Sequence, residues 1–130
     1  MAIDSSDCAY ITVGGGDPEI TVIKFSTEGA ILWQKSYDIG PVPSYRAFIE
    51  EKSSTTLAVV AQLNEGDGPP LAVLVMEISS TDGSVSLKKT LAQESPQFME
   101  VEGIDVDGNE NVFIAGHYYC LLYTSPSPRD

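Results

Sequence analysis

The chain has 130 residues and a formal net charge of −12, with 7 Lys and Arg against 19 Asp and Glu. That balance excludes nucleic acid and anionic membrane surfaces as partners, because both need massed cations that this sequence does not have. No apolar run approaches the ~20 residues that span a bilayer as a helix, and 42% hydrophobic with 20% charged residues is ordinary for a globular chain with one sizeable core. The excess of acid reads as a solvated surface, with cation binding as the sharper alternative.

The first residues, Met1 to Asp7, have neither a basic segment nor an apolar one, so no signal peptide is expected there. If the chain is a fragment, that absence carries no weight, since Met1 can lie inside a longer reading frame. From there on the periodicity is that of strands. Ala9–Val13, Ile20–Phe25, Thr56–Ala61, Leu71–Ile78 and Asn111–Gly116 are short β-rich runs bounded by Gly, Pro, Asp and Ser. Apolar runs this short and this continuous predict strands buried on both faces, as in stacked sheets. No window sustains a 3.6-residue period.

The strands recur. Ile49 to Ala61 lies over Ile104 to Gly116 at a constant offset of 55, and Ile3 to Val13 repeats the pattern with about one residue of slippage. Ile20–Ser26 lies over Val73–Ser79 at an offset of 53, and Glu28–Tyr37 over Asp82–Leu91 at 54. Glu28-Gly29 and Asp82-Gly83 fall where a tight hairpin needs positive φ. One unit is then strand, Asp-rich turn, strand, Gly-rich loop, strand, Asp/Glu-Gly turn, strand: a four-stranded antiparallel meander of roughly 45–55 residues.

Several motifs invite a chemical reading. Asp105-Val106-Asp107-Gly108-Asn109-Glu110-Asn111 alternates side-chain oxygens as a Ca²⁺ loop does. Its glycine stands at position four rather than six, however, and Gly116 occupies position twelve where a glutamate is needed. The plainer reading is a hairpin turn whose Asp and Asn cap backbone amides. The equivalent turn in the repeat, Glu50 to Ser53, offers a different set of ligands and favours that reading. Gly14-Gly15-Gly16-Asp17 lacks the helix and Lys-Ser/Thr of a phosphate cradle and reads as a loop between strands. His117, the single histidine, stands at the end of an apolar strand with no nucleophile motif in view and reads as an ordinary strand-end residue. Trp33 reads as packing between neighbouring sheets, with a stacking platform for a ring-shaped ligand as the alternative. No catalytic, cofactor-binding or metal residue is assigned, and no cofactor is expected.

The last eleven residues, Cys120-Leu121-Leu122-Tyr123-Thr124-Ser125-Pro126-Ser127-Pro128-Arg129-Asp130, resemble the translation of a transposase-type sequencing adaptor. Two prolines also stop a strand or helix directly after an apolar run that would otherwise continue. Residues 120–130 are therefore expected to be a non-native tail that cuts the repeat after Tyr119. Without it the net charge stays at −12, since Arg129 and Asp130 cancel, and Cys8 is left alone, so no Cys8–Cys120 disulfide is expected.

On these residues a family resemblance can be stated. Asp105-Val106-Asp107-Gly108-Asn109 with Val112–Gly116, and Val22-Ile23-Lys24-Phe25-Ser26 with Gly29, Leu32 and Trp33, resemble the bacterial-type β-propeller repeats called SBBP repeats. The resemblance runs over essentially all of 1–119. It implies an all-β partial β-propeller with four-stranded antiparallel blades at about 2–37, 45–91 and 100–119. It also implies a non-catalytic ligand- or protein-binding or surface module, with its unknown protein or small-ligand partner at the blade loops or channel mouth, and an extracellular or cell-surface location. The alternative is part of a propeller enzyme, a quinoprotein-like oxidoreductase or a hydrolase, whose active-site blades are missing. The 79–87 segment is similar to the quinoprotein-type repeat, but Ser79, Asp82 and Leu87 stand where that repeat has Asp, Thr and Trp.

Overall fold

The computed structural model describes residues 1–13, 19–39, 44–64, 70–92 and 97–120. Among them every regular element is a strand, and every pairing is antiparallel. Strands β1 (Ala2–Ile3), β2 (Ala9–Val13), β3 (Glu19–Phe25) and β4 (Ile31–Asp38) form sheet 1 in chain order. Strands β5 (Ser44–Ser53), β6 (Thr56–Asn64), β7 (Pro70–Ser79) and β8 (Val85–Ala92) form sheet 2, also in chain order. Strands β9 (Gln97–Val106) and β10 (Val112–Cys120) pair as the hairpin of sheet 3.

The sequence offsets reappear as registers. Glu51 pairs with Leu57 and Ile49 with Val59; 55 residues later Val106 pairs with Val112 and Ile104 with Ile114. Ile3 pairs with Ala9, so a pair that spans five residues recurs at the same place in all three opening hairpins, although in sheet 2 a bulge after Glu51 lets Ser53 pair with Thr56 inside it. The change of offset from 53 to 54 is one extra residue inside a turn: Phe25 pairs with Ile31, whereas Ile78 pairs with Val85.

Alternation of side chains gives each sheet two faces. The forward face of sheet 1, carrying Tyr10, Ile20, Val22 and Tyr37, packs on the rear face of sheet 2, carrying Ile49, Leu57, Val59, Leu74, Met76 and Ile78. The forward face of sheet 2, with Val60, Val73 and the partly buried Phe48 and Val75, packs on Val101, Ile104 and Ile114 of sheet 3. Sheet 2 is thus covered on both sides, and Leu57 to Leu63 is buried without interruption. An unbroken apolar strand has this cause: both of its faces leave water.

Among the described residues, two polar ones are buried with the core, Gln62 and Ser80. The Gln62 side-chain oxygen accepts from the Val101 amide at 2.7 Å, and the Arg46 guanidinium donates to the Val101 carbonyl at 3.1 Å. Both bonds tie sheet 3 to sheet 2 where β9 is bulged against Ala115 and Gly116. A buried amide left without such a partner would cost about 1–3 kcal/mol.

Candidate functional site

Because each sheet is a meander, the β1–β2, β3–β4, β5–β6, β7–β8 and β9–β10 turns lie at one end of the stack. Bonds between turns hold that end together. The Ser5 amide and hydroxyl donate to the Glu51 carboxylate at 3.0 and 3.2 Å. The Ser80 amide donates to the Thr55 carbonyl at 2.9 Å.

The Asp-rich turn at 107–111 is a three-residue loop. The Asp107 amide bonds the Asn111 carbonyl, the Glu110 amide bonds the Asp107 carbonyl, and Glu110 sits at φ 65°. Its carboxylate serves the turn itself: one Asp107 oxygen accepts from the Asn109 and Asn111 amides, each at 2.9 Å, and the other from the Asn111 side chain. The Asp105 carboxylate accepts from the Val106 amide. The Asp4–Cys8 turn is built the same way, with Asp7 at φ 63° and Asp4 accepting from the Ser6 and Cys8 amides. Among the described residues, no group of three or more His, Cys, Asp or Glu side chains is arranged to hold a metal ion.

These bonds set the acidities. The Asn111 backbone and side-chain amides hold the Asp107 carboxyl below the ordinary carboxylate value. The Ser84 amide and hydroxyl do the same for Asp82. Burial pushes Asp4 upward, but the Tyr10 hydroxyl, the Cys8 and Ser6 amides and the Lys24 charge outweigh it, and the net displacement is downward. In return, burial and the Asp4 carboxylate raise the Tyr10 phenol.

A polar cluster that sequence reasoning did not bring together joins residues from both sheets. At the junction of sheets 1 and 2, the Ser80 carbonyl accepts from the Lys24 ammonium at 2.9 Å and from the Trp33 indole N–H at 3.2 Å. The Tyr37 hydroxyl donates to the Gly83 carbonyl at 2.6 Å, and that of Tyr10 to Asp4 at 2.6 Å. Lys24 lies 5.5 Å from the centre of the Tyr10 ring, and the Tyr10 and Trp33 rings meet at 56° with centres 6.2 Å apart. Trp33 therefore packs between sheets, with its one donor committed. A Cβ on Gly83 would stand 2.8 Å from the Tyr37 hydroxyl and 3.0 Å from the Trp33 ring. The extra residue that breaks the 53 offset marks the turn that holds Ser80, but not its partners, because the acceptor is a main-chain oxygen.

His117 pairs through its backbone with Glu100, inside β10 rather than at its end, because the strand runs on to Cys120; its side chain lies outside the described part. Gly14 to Asp17 and residues 121–130 also lie outside the described residues. Cys8 is a free, half-buried thiol. Among the described residues, no helix is long and apolar enough to cross a membrane, which says nothing of strands. No protein-family model, curated protein or solved structure matches the chain.

Proposed function

We propose that residues 1–119 are a section of a β-propeller repeat protein and act as a non-catalytic module that binds a protein or small ligand through its loops. The observation that supports this reading is the repeated packing. Each junction sets a forward face against a rear face, and the hairpin registers of sheets 2 and 3 superpose at one offset. Stacked four-stranded meanders of this size are the repeating unit of propellers, whose loops carry recognition while the blades carry stability.

The reading has two separable tests. Reading the transcript beyond codon 119 is expected to give further units of roughly 45–55 residues, enough for a closed array of four to eight blades; a stop codon in that frame directly after it overturns the propeller. The chain extended by those units, supplied with pyrroloquinoline quinone, Ca²⁺, a panel of alcohols and an electron acceptor, is expected to show no turnover above the blank. Turnover would overturn the non-catalytic part alone.

A further inference from the structure

The two ends of the stack present unlike faces. The rear face of sheet 1 carries Ile3, Ile11, Val13, Ile23, Phe25 and Ile31, brought together by the pairings Ile11–Ile23 and Phe25–Ile31. Each of these from β1 to β3 is the counterpart of a residue on the rear face of sheet 2. Ile11 corresponds to Val59, Ile23 to Met76 and Phe25 to Ile78, all three of which are fully buried in sheet 2. In sheet 1 no described element covers them, and Ile3 and Ile31 are each 57% exposed. The centre of this patch bears no ionisable side chain, in a chain of charge −12.

The other end has the opposite deficiency. Phe113 on the forward face of sheet 3 corresponds to Tyr10 of sheet 1 and Ala58 of sheet 2, both fully buried. Phe113 itself is 57% exposed. Within the chain, a forward face meets a rear face at both junctions. Among the described residues, each molecule thus carries one open face of each kind.

We infer that the rear face of sheet 1 docks a second copy of this chain through the forward face of that copy's sheet 3, head to tail, continuing the interface that already joins the sheets. A second copy is the fitting occupant because Ile11, Ile23 and Phe25 repeat Val59, Met76 and Ile78, which the chain covers with its own forward face of sheet 1. The contact is heterologous, so it leaves an open face at each end of the dimer. Sheet 3 offers only two strands, which puts the association in the weak, transient class. Charge repulsion opposes it, so salt strengthens it. The inference rests on the sheet stack, not on the binding role proposed above, and their failures are distinct.

Sedimentation of the full chain between about 5 and about 500 µM, at low and high salt, tests it. Expected is a reversible rise in average mass toward twice that of the monomer or beyond, stronger in high salt. The double variant Ile3→Glu with Ile31→Glu blocks the rear face, and Phe113→Glu blocks the forward one. All three positions are more than half exposed, so both variants are expected to keep the parent circular dichroism and melting curve. Each alone is expected to remain monomeric, and an equimolar mixture is expected to form a dimer containing one of each and nothing larger. A parent that is monomeric throughout overturns the inference. So does self-association of the Phe113→Glu chain alone, which would mean rear-to-rear pairing, or aggregation that neither variant alters.

Discussion

At the scale of single residues, the turns at Gly29 and Gly83 separate two reasons for glycine. Gly29 and Gly83 both have positive φ, 89° and 78°. A Cβ at Gly29 meets nothing within 4 Å, whereas at Gly83 it meets the Tyr37 hydroxyl and the Trp33 ring. Gly29→Ala therefore costs the left-handed backbone term alone, about 1 kcal/mol. Gly83→Ala adds displacement of the Tyr37 hydroxyl from its carbonyl, for a total of about 2–3 kcal/mol. Urea denaturation of the two variants is expected to order them so, and equal losses would show that Tyr37 yields without cost. Among the described residues, two that are not glycine adopt the same backbone region, Asp7 and Glu110. Asp visits it readily but Glu does not, so Glu110→Asn is expected to raise the urea midpoint by an amount on the order of 0.5 kcal/mol.

At the scale of elements, sheets 1 and 2 are joined by apolar burial and by cross-sheet hydrogen bonds, among them two that converge on one main-chain oxygen, the Ser80 carbonyl. Either donor alone satisfies the Ser80 carbonyl. Trp33→Phe and Lys24→Met are each expected to cost about 1 kcal/mol, chiefly the lost hydrogen bond. The double variant leaves that carbonyl without either donor and is expected to exceed the sum of the singles by about 1 kcal/mol. Strict additivity in a double-mutant cycle would mean that the carbonyl finds water when both are gone. This junction also marks the limit of what the chain discloses. Strand content, turn positions and the registers of the opening hairpins were legible, because alternation and turn chemistry are local and the repeat states them more than once. The slippage read in Ile3–Val13 disappears once the three hairpins are aligned on their turns. The Ser80 latch was not legible, because its acceptor is a backbone atom that any residue type could supply. The partners Lys24 and Trp33 are 56 and 47 residues away, on another sheet. The Asp105–Asn111 turn was legible as a motif but ambiguous in use, since oxygens that cap amides and oxygens that hold a cation have the same sequence.

At the scale of the whole molecule, charge and burial bound the range of pH over which the stack is stable. Burial, with Asp82 adding to it, pushes the Tyr37 phenol up to about 12, against about 10 in an unfolded chain. The native state then holds that proton more tightly than the unfolded one. Its contribution is complete below about pH 10 and is lost as pH rises toward 12; the raised Tyr10 phenol acts in the same direction. Asp4, Asp82 and Asp107 lie below their ordinary values, so their contribution is present above about pH 4 and is lost as pH falls through the lowered values. Between these limits the −12 charge repels itself, and that repulsion falls as the pH drops toward the sequence pI of 4.2. The melting temperature is therefore expected to peak below neutrality, between about pH 4.5 and about 6, and to fall steeply above about pH 10. Added salt is expected to raise it at pH 7 and to have little effect near the peak, since screening matters where like charge is greatest. Tyr37→Phe isolates one part of this profile. It is expected to lose about 1 kcal/mol at pH 7 with the Gly83 hydrogen bond, and to show a shallower fall above pH 10 than the parent. Equal alkaline slopes in the two chains would mean that the Tyr37 phenol ionises no differently in the fold than in the unfolded chain, and that the junction it closes plays no part in the alkaline limit.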